Sequence, residues 1–372
     1  MKNSCILVVL VLTAFYPFNN SAAQTAYEVL VTSRSGNTVQ RYDENGNYMG
    51  DFVKQGSGSL QWPQDILFHP DGTVLVSGFG NGAIKRYNGK TGSFIGNFSS
   101  GYTLMLPSKM SFGPDSLIYV TQWDSVQNKV VRFDLQGNYV DEFTQTGAPK
   151  GLGHVWDSKG NFYISLYGNG GDGTIHKYDA QGNDQGTFIN SNIIQGPTDL
   201  WWDGSDLLVA DYTTGKVWRF DSTGQYVNTF ISGLTNPEGR AFLPNGNILI
   251  GDWGIDGVHL VQPNGTITGL FCSGNGLTDP NCVRVRPSPT VSVQAVVKDE
   301  LSVVPAAGRR FTITIPGADS RIDITNMAGR VVHSTEVKGS YIWNAECQPA
   351  GMYIISVKSR DATLYKKVIV KD

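Results

Sequence analysis

Short apolar runs separated by polar turns recur along residues 27–286 with a period of about 44 residues. One recurring element is a basic residue, an aromatic residue, Asp or Asn and a Gly turn; its clear copies begin at Arg41, Arg86, Arg132, Lys177 and Arg219, and a decayed copy begins at Leu260. A second element holds two apolar strands around a turn and begins at Pro63, Pro107, Pro149, Pro197, Pro237 and Pro280. Four short strands in each repeat predict the blade of a β-propeller.

The two ends of the repeat array complement each other. Residues 27–52 hold three strands with no Pro element before them, whereas Asp279–Val285 is a Pro strand with no blade after it. If this last strand supplies the inner strand of the first blade, no sheet edge is left unpaired as in an open array. The pattern therefore predicts an all-β fold, with a closed six-bladed β-propeller over residues 24–286 and a small C-terminal β-sandwich.

Composition agrees with this fold and excludes other classes. Gly accounts for 44 of the 372 residues and only 16% of residues are charged, which suits short strands joined by tight turns. Coiled coils and disordered chains need more charge and fewer aromatic residues. The net charge of −3 argues against a nucleic-acid partner held through its phosphates.

The first residues have the pattern of a secretory signal peptide. Lys2 precedes an apolar run from Ile6 to Phe15, and the small residues Ser21-Ala22-Ala23 follow. The run is shorter than the ~20 residues that span a bilayer, and no later segment is apolar enough to do so. We expect residues 1–23 to be removed by cleavage after Ala23.

Three cysteines remain after this cleavage: Cys272, Cys282 and Cys347. Cys272 and Cys282 flank a Gly-rich loop in a chain expected to enter an oxidising compartment. Their spacing leaves two alternatives open, a disulfide or two free thiols.

In this strand order, the connections between blades and the loops after each second strand lie on one face, at the mouth of the channel. An acidic set is expected there, made of Asp65, Asp199, Asp211, Glu238 and Asp252. These carboxylates either hold calcium or another divalent cation, or tie down the backbone of neighbouring turns. Five blades have an aromatic residue at one equivalent position: Phe79, Trp123, Tyr167, Tyr212 and Trp253. The first blade contributes Arg34 to the same face.

This aromatic set also has two interpretations. It forms a pocket for a sugar, an aromatic compound or a peptide, or it packs between adjacent blades. Four other tryptophans, Trp62, Trp156, Trp201 and Trp202, are assigned to the core between blades. Catalytic motifs are not evident, because the histidines share no motif with a Ser or Cys nucleophile and none has the spacing of zinc ligands.

The segment Pro197-Thr198-Asp199-Leu200 through Val209-Ala210-Asp211-Tyr212 to Trp218-Arg219-Phe220-Asp221 resembles NHL-type six-bladed propellers and the regucalcin/gluconolactonase superfamily. In the lactonases, a Glu, an Asn and an Asp hold a divalent cation at the channel mouth. The resemblance implies Glu238 and Asp211 or Asp252 as counterparts of the acidic ligands. The paired histidines of streptogramin lyases, another similar group, have no counterpart here.

The sequence changes character after Arg286. A linker is expected over residues 287–300, and residues 301–372 carry a different strand pattern with 10 Lys and Arg against 6 Asp and Glu. The stretches Ile324–Val332, Pro349–Ile354 and Lys366–Lys371 resemble the C-terminal sorting domain of the type IX secretion system. This resemblance implies the type IX machinery as a partner and a place outside a Gram-negative cell.

Together these features predict a secreted or cell-surface propeller that binds a carbohydrate, a peptide or a small molecule at the channel mouth. A metal-dependent hydrolase of the lactonase type is the first alternative. A structural scaffold for interactions at the cell surface is the second.

Overall fold

The computed structural model describes residues 27–168, 171–288, 301–315, 320–326, 330–358 and 363–371. The predicted signal peptide and nearly all of the predicted linker lie outside these residues. The chain divides into two compact units, residues 1–289 and 290–372.

The first unit consists of six four-stranded antiparallel sheets, the blades, and no α-helix occurs in its described residues. In chain order, blade 1 begins with β1 (Tyr27–Ser33), β2 (Thr38–Tyr42) and β3 (Tyr48–Val53); blade 2 has β4 (Pro63–Phe68), β5 (Val74–Gly78), β6 (Ala83–Tyr87) and β7 (Phe94–Asn97); blade 3 has β8 (Pro107–Phe112), β9 (Ile118–Gln122), β10 (Val131–Phe133) and β11 (Tyr139–Glu142). Blade 4 has β12 (Gly151–Trp156), β13 (Phe162–Leu166), β14 (Thr174–Tyr178) and β15 (Asp184–Ile189); blade 5 has β16 (Pro197–Asp203), β17 (Asp206–Asp211), β18 (Lys216–Phe220) and β19 (Tyr226–Ser232); blade 6 has β20 (Pro237–Phe242), β21 (Ile248–Asp252), β22 (Gly257–Val261) and β23 (Ile267–Ser273); β24 (Val283–Pro287) follows.

Strand β24 completes blade 1 and closes the ring. It pairs antiparallel with β1, from Tyr27 opposite Pro287 to Val31 opposite Val283, so the sheet order is β24-β1-β2-β3. Because the chain's last propeller strand is the inner strand of its first blade, no blade stands at an open end. The predicted all-β, closed six-bladed propeller is confirmed.

The core lies between neighbouring blades, and the repeated aromatic residue of the sequence pattern lies at its centre. This residue ends the third strand of a blade and is fully buried in five blades: Tyr42, Tyr87, Phe133, Tyr178 and Phe220. Val261 takes the place in blade 6, also buried. A buried aromatic side chain contributes about 3 kcal/mol or more to stability, so the recurring motif marks the contact between blades.

The Gly of each repeat fits against the preceding blade. All six lie at a positive φ, and a Cβ atom on any of them would overlap the carbonyl oxygen of a Phe in the blade before. The pairs are Gly46 with Phe271, Gly92 with Phe52, Gly137 with Phe98, Gly182 with Phe143, Gly224 with Phe188 and Gly265 with Phe230. The pair Gly46 and Phe271 joins blade 1 to blade 6, so the contact runs round the whole ring.

The three described cysteines are free thiols. Cys272 is buried in β23 and Cys282 is buried just before β24, whereas Cys347 is exposed in the second unit. Of the two alternatives left open by the sequence, the structure has the free thiols.

The second unit is a small β-sandwich. One sheet has the order β25-β27-β30 and the other β26-β32-β31-β28-β29. Its own core contains Phe311 stacked on Trp343 at 5.3 Å between ring centroids. The strands are β25 (Ser302–Val304), β26 (Ala307–Gly308), β27 (Arg310–Thr314), β28 (Ser320–Asn326), β29 (Val331–Val337), β30 (Ser340–Asn344), β31 (Gly351–Lys358) and β32 (Thr363–Val370).

Substituting the turn glycine of blade 4 tests the contact between blades. Gly182 and Gly186 both have left-handed φ values, +80° and +83°, but only Gly182 faces the Phe143 carbonyl, while Gly186 has open space. We expect Gly186→Ala to lower the free energy of unfolding by about 1 kcal/mol through backbone strain. Gly182→Ala should cost about 1–3 kcal/mol more because of the overlap.

Urea unfolding of the two variants and the parent protein measures this difference. Equal losses for Gly182→Ala and Gly186→Ala would show that the close approach between blades contributes nothing.

Candidate ligand-binding site at the channel mouth

Six backbone hydrogen bonds define one face of the propeller. In every blade, the residue just after the second strand, counted from the channel outward, donates its N–H to a backbone carbonyl of the segment that leads into the inner strand, over 2.8 to 3.3 Å. The donors are Arg34, Phe79, Trp123, Tyr167, Tyr212 and Trp253, and their acceptors are Asp279, Trp62, Leu106, Lys150, Gly196 and Asn236. All six predicted ligand-binding residues therefore take equivalent places at the mouth, and Arg34 is the only one that is not aromatic.

The aromatic side chains at the mouth form a row that Arg34 completes. We call this row the aromatic arc; it consists of Trp123, Tyr167, Tyr212, Trp253, Trp62 and Phe79. Successive ring centroids lie 5.0 Å (Trp123 to Tyr167), 6.1 Å (Tyr167 to Tyr212), 5.5 Å (Tyr212 to Trp253) and 6.5 Å (Trp62 to Phe79) apart. Arg34 joins the two parts, because its guanidinium lies 5.1 Å from the Trp253 ring and 4.8 Å from the Trp62 ring.

A cavity of about 340 Å³ opens inside this arc. Its lining residues are Arg34, Trp62, Gln64, Phe79, Leu106, Trp123, Leu152, Glu238 and Trp253. The structure thus brings together four of the six predicted ligand-binding residues and one predicted metal ligand, Glu238. Tyr167 and Tyr212 do not line the cavity; they support its wall by packing on Trp123 and Trp253.

Trp62 was assigned to the core between blades, and this prediction is wrong. The side chain is 46% exposed at the mouth, where it lines the cavity. Trp62 directly precedes the inner strand and has a φ of +49°, as Leu106 does with +48°. Its place next to Pro63, outside the strand, is the signal in the sequence that distinguishes it from the buried Trp201.

The position at which blade 4 begins in the sequence pattern is also wrong by two residues. Gly151, and not Pro149, takes the position of the strand-initial proline, because it pairs with Leu166 as Pro107 pairs with Gln122. The residues that follow this position in the six blades lie in the channel beneath the cavity and are all buried: Gln64, Ser108, Leu152, Thr198, Glu238 and Asn281. The contribution of blade 4 is therefore Leu152, and not Lys150, which directly follows Pro149 in the sequence.

Two of the predicted metal ligands hold backbone turns. Asp211 accepts hydrogen bonds from the backbone N–H groups of Gln195 (2.7 Å) and Gly196 (3.1 Å). Asp252 accepts from the N–H groups of Thr235 (2.7 Å) and Asn236 (2.8 Å). Both carboxylates hold in place the segment that leads into an inner strand. This is the structural one of the two roles that the sequence leaves open, the other being metal binding.

Two others are paired with arginines inside the channel. Asp65 lies 2.8 Å from the Arg284 guanidinium, and Asp199 lies 2.9 Å from that of Arg240. Asp65 also accepts the N–H of Met110 at 2.7 Å. Within the described ranges of the chain, no three His, Cys, Asp or Glu side chains are grouped as they would be around a metal ion.

Glu238 differs from the other four carboxylates because its ion pair with Lys109 is long, 4.0 Å, and no hydrogen bond accompanies it. Its side chain is buried, and its Oε2 accepts no hydrogen bond from the described residues. The Lys109 Nζ lies 4.0 Å away and donates instead to the Asn281 carbonyl at 2.7 Å. Burial raises the pKa of Glu238 to about 7, although the charge of Lys109 opposes the shift. The floor of the cavity thus holds a carboxyl that can donate or accept near neutral pH.

One histidine contacts a serine elsewhere in the channel. The Ser111 Oγ lies 2.6 Å from the His154 Nε2, a contact between inner strands that the sequence does not reveal. Burial lowers the pKa of His154 to about 4, which makes it a weak general base at neutral pH.

Comparison with known proteins assigns the second unit. Residues 305–371 match the family of the secretion system C-terminal sorting domain. The second unit is a sorting domain of the type IX secretion system. Its presence indicates a protein that is secreted or located at the cell surface. Among the described residues, none forms a helix long and apolar enough to cross a membrane.

The propeller that precedes the sorting domain is similar in fold to several solved structures. A chain of a nidogen/laminin complex matches with a TM-score of 0.58 and 15% identity, over 70% of this chain and 99% of its own. A protein of unknown function from Bacteroides caccae matches with 0.55 and 14%, over 70% and 98%. Virginiamycin B lyase from Staphylococcus aureus matches with 0.50 and 14%, over 68% and 84%. No curated protein matches the chain, and at these identities the similarity shows the fold alone.

Replacing Glu238 should change how stability depends on pH. The folded protein holds the Glu238 proton more tightly than the unfolded chain does, so the free energy of unfolding falls as the pH rises from about 4.5 to about 7. We expect Glu238→Gln to remove on the order of 2 kcal/mol of this decline between pH 5 and pH 8.

Urea unfolding at the two pH values measures the effect. Glu44→Gln, which removes an exposed negative charge in a hairpin turn, is the control and should leave the decline unchanged. The same pH dependence in Glu238→Gln and the parent protein would contradict the assignment.

Proposed function

We propose that this protein is an exported propeller that binds a carbohydrate in the cavity at its channel mouth. The observation that carries the proposal is the combination of partly exposed aromatic rings around the cavity with a buried carboxyl at its floor whose Oε2 accepts no hydrogen bond from the described residues. Ring faces bury the C–H surfaces of a sugar, whereas a carboxyl oxygen accepts or donates a hydrogen bond to a hydroxyl. The cavity volume falls in the range of small-molecule sites.

The arrangement of the aromatic arc suits a sugar. Trp62, Trp123 and Trp253 are the lining residues with the largest flat surfaces, and such surfaces pack well against the C–H faces of a sugar ring. Peptides and other small molecules remain the further ligand classes that the sequence suggested.

The lactonase-type hydrolase remains a prediction with less support. It needs Glu238 and Asp211 or Asp252 around one divalent cation, but Asp211 and Asp252 each accept several backbone hydrogen bonds. A purely structural scaffold has no use for a buried carboxyl without a hydrogen bond beneath an arc of partly exposed aromatic side chains. Binding accounts for both features.

In this proposal, the predicted signal peptide and the sorting domain act in turn to export the protein. The signal peptide predicted over residues 1–23 carries the chain across the inner membrane, and the sorting domain engages the type IX machinery for the outer membrane. The sorting domain has its own core and its own charge, 10 Lys and Arg against 6 Asp and Glu over residues 301–372.

Removing residues 301–372 should stop export without unfolding the propeller. We expect the truncated protein to accumulate in the periplasm of a bacterium with a type IX system, while the full chain reaches the surface or the medium. Cell fractionation followed by immunoblotting measures the distribution. Normal export of the truncated protein would refute the role of the sorting domain.

Removing one ring of the cavity should weaken sugar binding. Trp123→Ala takes away a stacking surface, and we expect at least a 10-fold loss of affinity for any glycan that the parent protein binds on a glycan array. Phe242→Ala is the matched control, since Phe242 is an exposed aromatic at the far end of the strand that begins next to Glu238. Equal binding by Trp123→Ala and Phe242→Ala would exclude the cavity as the site.

A further inference from the structure

We infer that the cavity selects an acidic saccharide, one that bears a carboxylate or a sulfate group, and that Arg34 is the counter-ion for this group. The inference rests on the proposed function and specifies the ligand class of the same site. It begins from the one break in the pattern of the mouth: five of its six equivalent positions are aromatic, and the sixth is Arg34.

The guanidinium of Arg34 lies among three aromatic rings of the cavity wall. The guanidinium carbon lies 4.8 Å from the ring centroid of Trp62, 5.1 Å from that of Trp253 and 5.4 Å from that of Phe79. Three ring faces around one guanidinium hold it in place by cation–π attraction. They leave its N–H groups unused, because a ring face is not a hydrogen-bond acceptor of ordinary strength.

The other arginines of the described propeller all have carboxylate partners, and Arg34 does not. The pairs are Arg41 and Arg286 with Glu28, Arg86 with Asp71, Arg132 with Asp141, Arg219 with Asp203, Arg240 with Asp199 and Arg284 with Asp65. No described carboxylate forms an ion pair with Arg34, although the residue is only partly exposed and lines the cavity. The missing partner is therefore a feature of this site and not of the fold.

The unpaired charge has an energetic cost that an anionic ligand would remove. Burial lowers the pKa of Arg34, and the charges of Asp279 and Glu238 only partly offset this effect. A planar guanidinium matches a carboxylate or sulfate with two parallel hydrogen bonds. Trp123 lines the same cavity and is not one of the three rings around Arg34, so one residue of an acidic glycan would stack on Trp123 and pair with Arg34.

A cation is the opposite ligand class, and the geometry disfavours it. An aromatic cage with an acidic floor would suit an ammonium group, but the side chain of Arg34 already occupies the faces of Trp62, Trp253 and Phe79. A second cation there would meet the repulsion of Arg34 as well as that of Lys109, 4.0 Å from the Glu238 carboxyl.

Glu238 makes the binding of an anion dependent on pH. The charged groups that act on it are Lys109, Asp199 and Arg34, and burial keeps it protonated up to about pH 7. The protonated carboxyl donates to a ligand oxygen, whereas the ionised carboxyl repels an anion. Affinity for an acidic glycan should therefore fall between pH 6 and pH 8 in the parent protein, and less so in Glu238→Gln.

The test is an array of uronate-containing and sulfated oligosaccharides beside their methyl-esterified and desulfated counterparts, probed with the mature full-length protein. We expect at least one acidic member to bind 10-fold or more tightly than its neutral counterpart, which is the gain expected from a charge-assisted pair. If only the uronate-containing members show this gain, the recognised group is a carboxylate; if only the sulfated members show it, the group is a sulfate.

Arg34→Met should remove this preference, and Arg34→Lys should restore part of it. Arg219→Met, which removes a carboxylate-paired arginine of blade 5, is the control for loss of one positive charge. Thermal unfolding of each variant establishes that it folds, and Arg34→Lys keeps a cation beside the three rings that surround Arg34.

The outcomes separate this inference from the proposed function. Equal binding of acidic and neutral members overturns the acidic class, and a preference that survives in Arg34→Met overturns the role of Arg34 as the counter-ion. If neutral glycans bind and Trp123→Ala abolishes their binding, the proposed function stands and the inference falls. If no glycan binds in a way that depends on Trp123, both fall.

Discussion

The pairing of β24 with β1 is the contact on which the rest of the propeller depends. It joins residues about 250 positions apart in the chain, and loop-closure entropy opposes it. It hides the sheet edges of both end blades and brings Gly46 against the carbonyl of Phe271, so that the contact between blades is made six times. The same closure places Asp65 beside Arg284, which neutralises a carboxylate in the channel.

Closure also determines the composition of the mouth. Every blade presents the residue after its second strand at one face, so a nearly regular repeat produces a nearly regular ring of aromatic side chains. Blade 1 alone is built from both ends of the array, and it contributes Arg34 where the others contribute an aromatic ring. The asymmetry that gives the site its charge thus lies at the seam of the ring, where β24 and β1 meet.

The fold was accessible from sequence because it repeats, whereas the site depends on contacts that do not. Gly turns, buried aromatics and proline-initiated strands recur at a constant spacing, and they led to six blades. The partners of Asp65 and Asp199 come from other blades, at Arg284 and Arg240, and no local pattern reveals such pairs. The prediction for Trp62 was wrong because amino-acid type alone does not distinguish an exposed ring that precedes a strand from a buried ring that lies within a strand.

The two unsatisfied groups of the mouth are the strongest sign of where function lies. This fold pairs seven arginines with carboxylates and engages Asp65, Asp199, Asp211 and Asp252 with arginines or backbone N–H groups. In one cavity, by contrast, the described residues make no hydrogen bond to the Arg34 guanidinium or to the Glu238 Oε2. A buried polar group without a hydrogen bond costs about 1–3 kcal/mol, and a hydrophobic residue would remove that cost at position 238. The proposed ligand would supply the hydrogen bonds that the cation–π contacts of Arg34 and the long ion pair of Glu238 leave unmade.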